Sequence, residues 1–351
     1  MKKIIALVLA LVMMLAMFAG CGNTAEQPAA DAEYQPAAEA NKPAANDGAL
    51  DIGIIATDTT NPFIGWLTSS VKEQADAEGI SCQIADAGGN ATKQIELMEN
   101  YIAMGVKAIG IWPLDPNNLY DVIKKAQDNG IKVLVGGSDT GIYDVMMNMD
   151  QYNCGEQIAE MGIEWLLKTY STDGTPEGMT IKPKVIVIKY TGTPDSTNRS
   201  NGIIDKITSW GYADVIVAQG ESITANEARS VMENLWQQNS DATLIMTYNA
   251  DSALGVNEYI MGLPGIDLSK MALYSGDTSD AVQELIDMSV NNESIFRGTM
   301  AVVGPAINGE QIDLPVATYQ ALKGLADGTY SWGPRINDTI ARYQPAEDTA
   351  E

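Results

Sequence analysis

The chain has 351 residues, 45% of them hydrophobic, which is enough for two domains of ordinary size with packed cores. Its 46 acidic and 21 basic residues give a net charge of −25, which argues against nucleic acid as a partner because phosphates are repelled. The chain has no histidine, and its three cysteines fit no zinc or redox motif. Serine–histidine catalysis and the usual metal sites are therefore disfavoured, and no metal or cofactor is expected.

The first residues have the pattern of a bacterial lipoprotein signal. Lys2 and Lys3 precede an apolar run at 4–18 that is short for a membrane span, and two small residues then precede Cys21. The resemblance implies that residues 1–21 are the signal and the lipidated anchor cysteine, although Phe18 departs from the usual aliphatic residue. An ordinary secretory signal cut nearby is the alternative. Both interpretations place the protein outside the cytoplasm, and the first anchors it to the bacterial cell membrane.

The segment at 22–49 is rich in Ala, Pro, Glu, Asp and Asn and has few bulky apolar side chains. Such a composition cannot bury enough surface to fold, so the segment is predicted to be a disordered tether. It would hold the folded part away from the membrane.

From residue 50 onward, short β-rich runs alternate with amphipathic helical patterns. Strands are predicted at 51–56, 81–85, 108–112, 132–135, 184–189, 214–218, 243–247, 271–274 and 299–303. Helices are predicted at 62–79, 92–104, 118–129, 154–170, 198–210, 225–238, 251–261, 280–290 and 314–325. Strands that alternate with helices form parallel sheets with helices on both faces. We therefore predict an α/β fold with two doubly wound parallel-sheet lobes instead of one large sheet.

The two lobes are expected to be discontinuous in sequence. The strand–helix series breaks near Met149, and the chain is expected to return after Val303. These breaks predict an N-terminal lobe of 50–149 plus 304–335 and a C-terminal lobe of 150–303 plus 336–346. Three chain crossings would form the hinge, and Pro305 would stiffen one of them.

Polar and aromatic residues follow the predicted strands, at the edge where ligands of such folds bind. The candidate ligand-binding residues are Asn61, Phe63, Trp112, Asp139, Asp195, Arg199, Asn249 and Asp277. Amide, carboxylate and guanidinium groups suit vicinal hydroxyls, and an aromatic ring suits the apolar face of a sugar. No phosphate-binding glycine motif follows a strand, so nucleotide-binding folds lose support.

Each candidate also has a structural interpretation that the residues alone leave open. Amides and carboxylates cap helices and occupy turns, aromatic side chains fill helix cores, and an arginine pairs with surface acids. Cys82 and Cys154 are expected to be free and buried, with a disulfide between them as the alternative.

Four segments, in this order and spacing, resemble the ribose-type and glucose/galactose-type periplasmic binding proteins of the type I family. They are Asn-Pro-Phe-Ile at 61–64, the segment 193–199 with a glycine at 202, the segment 248–255, and Ser-Gly-Asp at 275–277. The resemblance covers 51–338 and implies that Asn61, Phe63, Asp195, Arg199, Asn249 and Asp277 contact a sugar. The position of Arg199, eight residues after Thr191 and where its helix is predicted to start, places its guanidinium on the ligand side of the second lobe, as a cleft residue outside the core.

The same resemblance implies a monomer that captures a monosaccharide, a related polyol or a furanose and delivers it to the permease of an ABC transporter, without catalysis. The chain departs from the family at several positions, which leaves the sugar undetermined. Ala250 replaces the family's usual aspartate, and Ile223 replaces a second stacking aromatic. Gly137 and Ser138 replace a polar or charged pair, and Val302 and Val303 replace an amide of the last crossover strand. Asp139 is predicted to substitute for the missing pair, and Trp66 and Trp112 add aromatic side chains near the cleft.

Two other functions use the same features. A sensory receptor that signals to a membrane kinase or chemotaxis protein would have the same cleft. An extracellular glycosidase would use two carboxylates, for which Asp195 and Asp277 are the candidates. Sugar-responsive repressors share the core, but they have a basic DNA-binding head where this chain has a leader.

Overall fold

The computed structural model describes residues 50–220 and 224–345. The predicted signal, anchor cysteine and tether, together with Ile223 and residue 346, lie outside the described residues. None of the helices in the described part of the chain is long and apolar enough to cross a membrane.

Strands and helices alternate along most of the described chain. The strands are β1 (Ile52–Ala56), β2 (Cys82–Asp86), β3 (Ala108–Ile111), β4 (Lys132–Gly136), β5 (Val145–Asn148), β6 (Lys184–Lys189), β7 (Asp214–Gln219), β8 (Leu244–Thr247), β9 (Ala272–Gly276), β10 (Phe296–Ile307), β11 (Glu310–Gln311) and β12 (Arg335–Tyr343). The helices are α1 (Pro62–Ala77), α2 (Ala91–Met104), α3 (Tyr120–Asp128), α4 (Gln151–Tyr170), α5 (Pro194–Trp210), α6 (Ala225–Trp236), α7 (Ala250–Met261), α8 (Asp280–Met288) and α9 (Leu314–Asp327).

The strands form two parallel series that share one strand. The hydrogen-bonded order is β2-β1-β3-β4-β5-β12-β10-β9-β8-β6-β7, with β11 paired to β10. We call β1–β5 the first series and β6–β10 the second series. Within each series the pairs are parallel, whereas β10 pairs antiparallel with β11 and β12. The fold is therefore a mostly parallel α/β sheet arrangement, as predicted.

β12 makes the hydrogen-bonded path continuous, which the sequence did not predict. Its residues Arg335, Ile336 and Asn337 pair with β5, and the strand from Asp338 onward pairs with β10. The prediction also missed β5 and β11, which have four and two residues. β12 was missed because Ile336 is buried while its other side chains are half-buried or exposed, so it has no apolar run.

Helices pack on both faces of both series. On the first series, α2 and α3 cover one face and α1 and α9 cover the other. On the second series, α4 and α5 cover one face and α6, α7 and α8 cover the other. Helix α9 follows β10 in sequence but packs on the first series, where Leu322 meets Gly110 of β3.

Two helices that pack on the second series begin earlier than predicted. Helix α5 begins at Pro194 because Thr193 and Ser196 form a reciprocal capping box in front of a proline at the first helical position. Helix α4 begins at Gln151, with Asp150 as its N-cap. In contrast, α1 begins as predicted, with Asn61 as N-cap and Pro62 at the first position. The early start of α5 places Arg199 in the second turn of the helix.

Cys82 and Cys154 are free and buried, as predicted. Burial raises the pKa of Cys82 to about 12 and that of Cys154 to about 11, so both thiols stay protonated at neutral pH.

Candidate functional site

Arg199 is the centre of a buried polar cluster at the carboxyl edge of the second series. Its side chain is 4% exposed. Its Nε donates to Oε1 of Gln151 at 2.8 Å, and its Nη1 donates to both carboxylate oxygens of Asp277 at 3.0 Å and to the carbonyl of Tyr248 at 3.2 Å. Burial alone would lower the pKa of Arg199, but the negative charge of Asp277 raises it, so the residue stays a cation.

This burial corrects the sequence-based expectation that Arg199 lies outside the core. Its guanidinium is packed between α4 and the end of β9, and its Cζ lies 4.9 Å from the ring centroid of Tyr248. The early start of α5 explains the difference, because a residue in the second turn is directed into the helix packing instead of into a loop. Sequence reasoning missed Gln151 and Tyr248 as partners, since Gln151 lies in no recognised motif and Tyr248 contributes its backbone carbonyl, which no side-chain pattern reveals.

Asp277 is held in a strained backbone conformation. Its φ is 68°, in the left-handed region that non-glycine residues rarely adopt. Its amide donates to the carbonyl of Met300 at 2.8 Å, and Thr299 donates from its hydroxyl to the Asp277 carbonyl at 2.6 Å. These two contacts with β10 fix the carboxylate opposite Arg199, where its side chain is 21% exposed.

The N-terminus of α7 adds an amide and a second carboxylate. Asn249 is 4% exposed, and its side chain accepts from the amide of Ser252 at 3.2 Å. It is therefore the N-cap of α7, which is the structural role that the sequence left open. Asp251 follows in the first turn, and its pKa is raised by burial and by the charge of Asp277. Asp251 was not among the predicted residues. The sequence did contain a signal for it: Ala250 stands where the family usually has an aspartate, and Asp251 is the next residue.

Asp195 connects the two series. Burial raises the pKa of its carboxyl, while a hydrogen bond with Ser138 and the charge of Arg199 oppose this rise. Its Oδ2 lies 3.0 Å from the position that a Cβ would take at Gly137. A carboxylate on α5 of the second series therefore contacts the loop that follows β4 of the first series.

Asp139 does not occupy the place predicted for it. It is exposed and forms an ion pair with Arg335, and its Oδ1 accepts from the amide of Gly141 at 2.8 Å. The buried Ser138 contacts Asp195 instead. At this loop the Ser138 hydroxyl therefore faces the second series, whereas the Asp139 carboxylate is engaged by Arg335.

The aromatic candidates line the first series. The indole of Trp112 lies so close to Gly136 that a Cβ there would be 2.3 Å from its Nε1. The buried side chain of Gln94 holds the loop by donating to the Trp112 carbonyl at 2.7 Å and accepting from the Leu114 amide at 2.9 Å. Trp112 is partly buried against the core beneath α1 and α9.

Phe63 and Asn61 are at the start of α1. Phe63 packs partly against the same core, and its ring centroid lies 5.9 Å from that of Trp66, which is 47% exposed. The Asn61 side chain accepts from the amide of Ile64 at 3.1 Å and so serves as the N-cap.

The structure thus brings together Arg199, Asp277, Asn249 and Asp251 on the second series and joins them through Asp195 to the first. The contacts of Asn61, Phe63 and Trp112 lie within the first series. Three carboxylates accompany one guanidinium that is already paired, so the cluster offers hydrogen-bond acceptors and little free positive charge. Among the residues that the structure describes, no three acidic or cysteine side chains are arranged to hold a metal ion.

Comparisons with known proteins agree with this architecture. The ribose import binding protein of Bacillus subtilis is 24% identical over 217 residues, which are 61% of this chain and 67% of that protein. The galactofuranose-binding protein of Escherichia coli is 26% identical over 259 residues, covering 70% and 76% of the two chains. A Mycobacterium smegmatis structure in complex with β-D-fucofuranose has the same fold, with a TM-score of 0.69, 20% identity and coverage of 86% and 93%.

Residues 52–302 match the family described as periplasmic binding protein domain. This match confirms the family resemblance predicted from the four sequence segments. The chain belongs to the periplasmic binding protein family.

Proposed function

We propose that this protein is the extracytoplasmic solute-binding component of an ABC transporter. It captures a monosaccharide, a related polyol or a furanose between an N-terminal lobe of 50–149 plus 304–335 and a C-terminal lobe of 150–303 plus 336–346. It acts as a lipid-anchored monomer that presents its closed form to the permease. Family membership supports the extracytoplasmic location, and the printed names of the relatives, which include ribose import and galactofuranose binding, support the ligand class.

One observation carries the proposal: the contact of Asp195 with Gly137 and Ser138. It joins the carboxyl edges of both strand series, where ligands of parallel α/β sheets bind. A ligand that touches both edges at once would favour closure, because its affinity for the closed form exceeds that for the open form.

The chemistry of these edges suits a neutral polyhydroxylated ligand. Carboxylates accept from sugar hydroxyls, the Ser138 hydroxyl both donates and accepts, and the Trp112 ring offers an apolar face. The single guanidinium at the site, Arg199, is already neutralised by Asp277. A sugar acid or sugar phosphate would meet an excess of negative charge, so anionic ligands are disfavoured.

The same geometry argues against the glycosidase alternative. Both oxygens of Asp277 accept hydrogen bonds from Nη1 of Arg199. With both of its oxygens engaged by Arg199, the Asp277 carboxylate is poorly placed to serve as the nucleophile or base that paired-carboxylate hydrolysis needs.

A thermal-shift screen over monosaccharides, polyols and furanoses tests the function. A ligand at 100 times its dissociation constant stabilises the protein by about 2.7 kcal/mol, which is a readily detected shift. With the best ligand of the screen, Asp195→Asn is expected to weaken binding at least tenfold in calorimetry, because a charge-assisted hydrogen bond is worth roughly 1.5–3 kcal/mol. The matched control is Asp214→Asn, an exposed carboxylate paired with Lys182, which should leave affinity unchanged. A panel without any shift, or equal affinities for the two variants, would contradict the proposal.

Membrane anchoring has a separate test. Replacing Cys21 with Ser should release the protein from the membrane fraction, because serine accepts no lipid through this signal. Cys82→Ser is the control, since that thiol is buried on β2 and should not affect anchoring. Quantitative blotting of membrane and soluble fractions measures the outcome, and equal membrane retention of Cys21→Ser and the wild type would contradict anchoring at Cys21.

A further inference from the structure

Asp338 lies where the shared strand β12 changes its partner. The three residues before it pair with β5 of the first series, and Asp338 itself pairs with Pro305 of β10. If the two lobes move relative to each other, the backbone at this point must change conformation. Asp338 is therefore a carboxylate at the junction of the two series.

Asp338 is half-buried, and one oxygen of its carboxyl is buried without compensation. Its Oδ1 is buried and has no hydrogen-bond partner among the described residues. On the same face of β12, Ile336 packs into the core beneath α1 and α9, and Ile340 packs against the core beneath α4 and α5. An unpaired ionised carboxylate is disfavoured in such surroundings.

The charged groups on the surrounding elements are engaged elsewhere or exposed. Residues 298–307 of β10 and Val145–Asn148 of β5 include no ionisable side chain. Charged side chains on or beside β12, α4 and α9 make contacts of their own: Arg335 with Asp139, Arg342 with Glu164, Lys323 with Glu78, and Asp150 with the amide of Asn153. Glu310 on β11 and Asp313, which precedes α9, are exposed. Burial accordingly raises the pKa of Asp338 to about 7.

We propose that, at mildly acidic pH, Asp338 is protonated when the two lobes are closed and ionised when they are open, so that closure takes up a proton. The inference rests on the proposed two-lobed function and adds a regulatory property to it. Opening would part the two cores at the strand junction and let water reach the carboxyl. Closure would return the carboxyl to apolar surroundings, where its neutral form is favoured.

The direction of the pH effect follows from the two pKa values. In the open form, a hydrated aspartate has its ordinary pKa of about 3.9. Below about pH 4 the group is protonated in both forms, so closure does not depend on pH. Between about pH 4 and 7 the closure constant should fall by up to tenfold per pH unit, and above pH 7 it should level off. From pH 5 to pH 8 the total fall is up to about 100-fold.

The test measures lobe closure in the full chain without any sugar. Fluorophores on Asn117→Cys and Asn198→Cys, two exposed positions at the carboxyl edges of the two series, report closure by energy transfer. The closed fraction should fall between pH 5 and 7 in this labelled parent protein and stay constant in the additional variant Asp338→Asn. Asp214→Asn is the control, because it removes an exposed carboxyl that pairs with Lys182 and takes no part in the contact between the series, so it should keep the fall.

Identical pH profiles for the parent and Asp338→Asn, whether flat or sloping, would overturn the proposal. A carbon-13 titration of the Asp338 carboxyl in the wild type provides a second measurement that needs no variant at this position. A pKa below 5 would also overturn it, whereas a pKa near 7 supports it. Because no sugar is used, failure of this test is distinguishable from failure of the sugar-binding proposal.

Discussion

Replacing Arg199 with Ala is expected to lower the free energy of unfolding by about 3 kcal/mol, because breaking a buried ion pair leaves its partner uncompensated. Asp277 would lose the donor to both of its oxygens, and Gln151 would lose the Nε donor. Since Asp277 remains 21% exposed, water moderates the loss. Denaturant unfolding measures the effect. Sugar affinity should fall at least tenfold as well, because the acceptors around the guanidinium would no longer be held in place.

The matched control is Arg342→Ala. Arg342 also pairs with a carboxylate, Glu164, but the two side chains are 30% and 50% exposed. Such a surface pair contributes at most about 1 kcal/mol, so this variant should unfold close to the wild-type midpoint. A loss for Arg199→Ala no larger than that for Arg342→Ala would show that burial of the Arg199–Asp277 pair does not matter for stability.

Replacing Gly155 with Ala is expected to destabilise the protein by about 3 kcal/mol or more, because there is no room for a methyl group. A Cβ at Gly155 would lie 2.1 Å from the Arg199 carbonyl oxygen, and one at Gly202 would lie 2.1 Å from the Tyr152 carbonyl oxygen. Helices α4 and α5 therefore touch backbone to backbone at both points. Separating them would draw Gln151 away from Arg199, so both stability and sugar affinity should fall, as measured by denaturant unfolding and calorimetry.

Gly262 provides the control for this substitution. It has a φ of −78°, which any residue adopts, and the nearest atom to its Cβ position is 3.4 Å away. Gly262→Ala should change stability by less than about 1 kcal/mol. If Gly155→Ala unfolds at the same denaturant concentration as Gly262→Ala, the close approach of α4 and α5 does not hold in solution.

Most of the sheet could be predicted from sequence because a buried parallel strand is a short apolar run that its own residues reveal. The runs predicted at 132–135 and 184–189 are the strands β4 and β6 almost unchanged. β12 could not be predicted in this way. Its residues become a strand because β5 and β10 lie on its two sides, which is a property of the assembled fold.

The candidate site shows the same division. Spacing after the strands predicted that Arg199, Asn249 and Asp277 belong to one edge, and the structure places Arg199 against Asp277 and the Tyr248 carbonyl. Spacing did not reveal that Asp139 is engaged by Arg335, which is 196 residues away in the chain. An ion pair between distant segments leaves no local pattern.

The sequence by itself determined the family, the alternation of strands and helices, and the edge at which polar side chains collect. Local apolar periodicity and short motifs are enough for these, since each depends on neighbouring residues. Only the tertiary structure decided that Arg199 is buried, that Ser138 contacts Asp195, and that one oxygen of Asp338 is buried without a protein partner. These properties depend on desolvation and on charge partners far away in the chain; Arg199 and Asp277, for example, are separated by 78 residues. The fold alone brings such groups into contact and removes them from water.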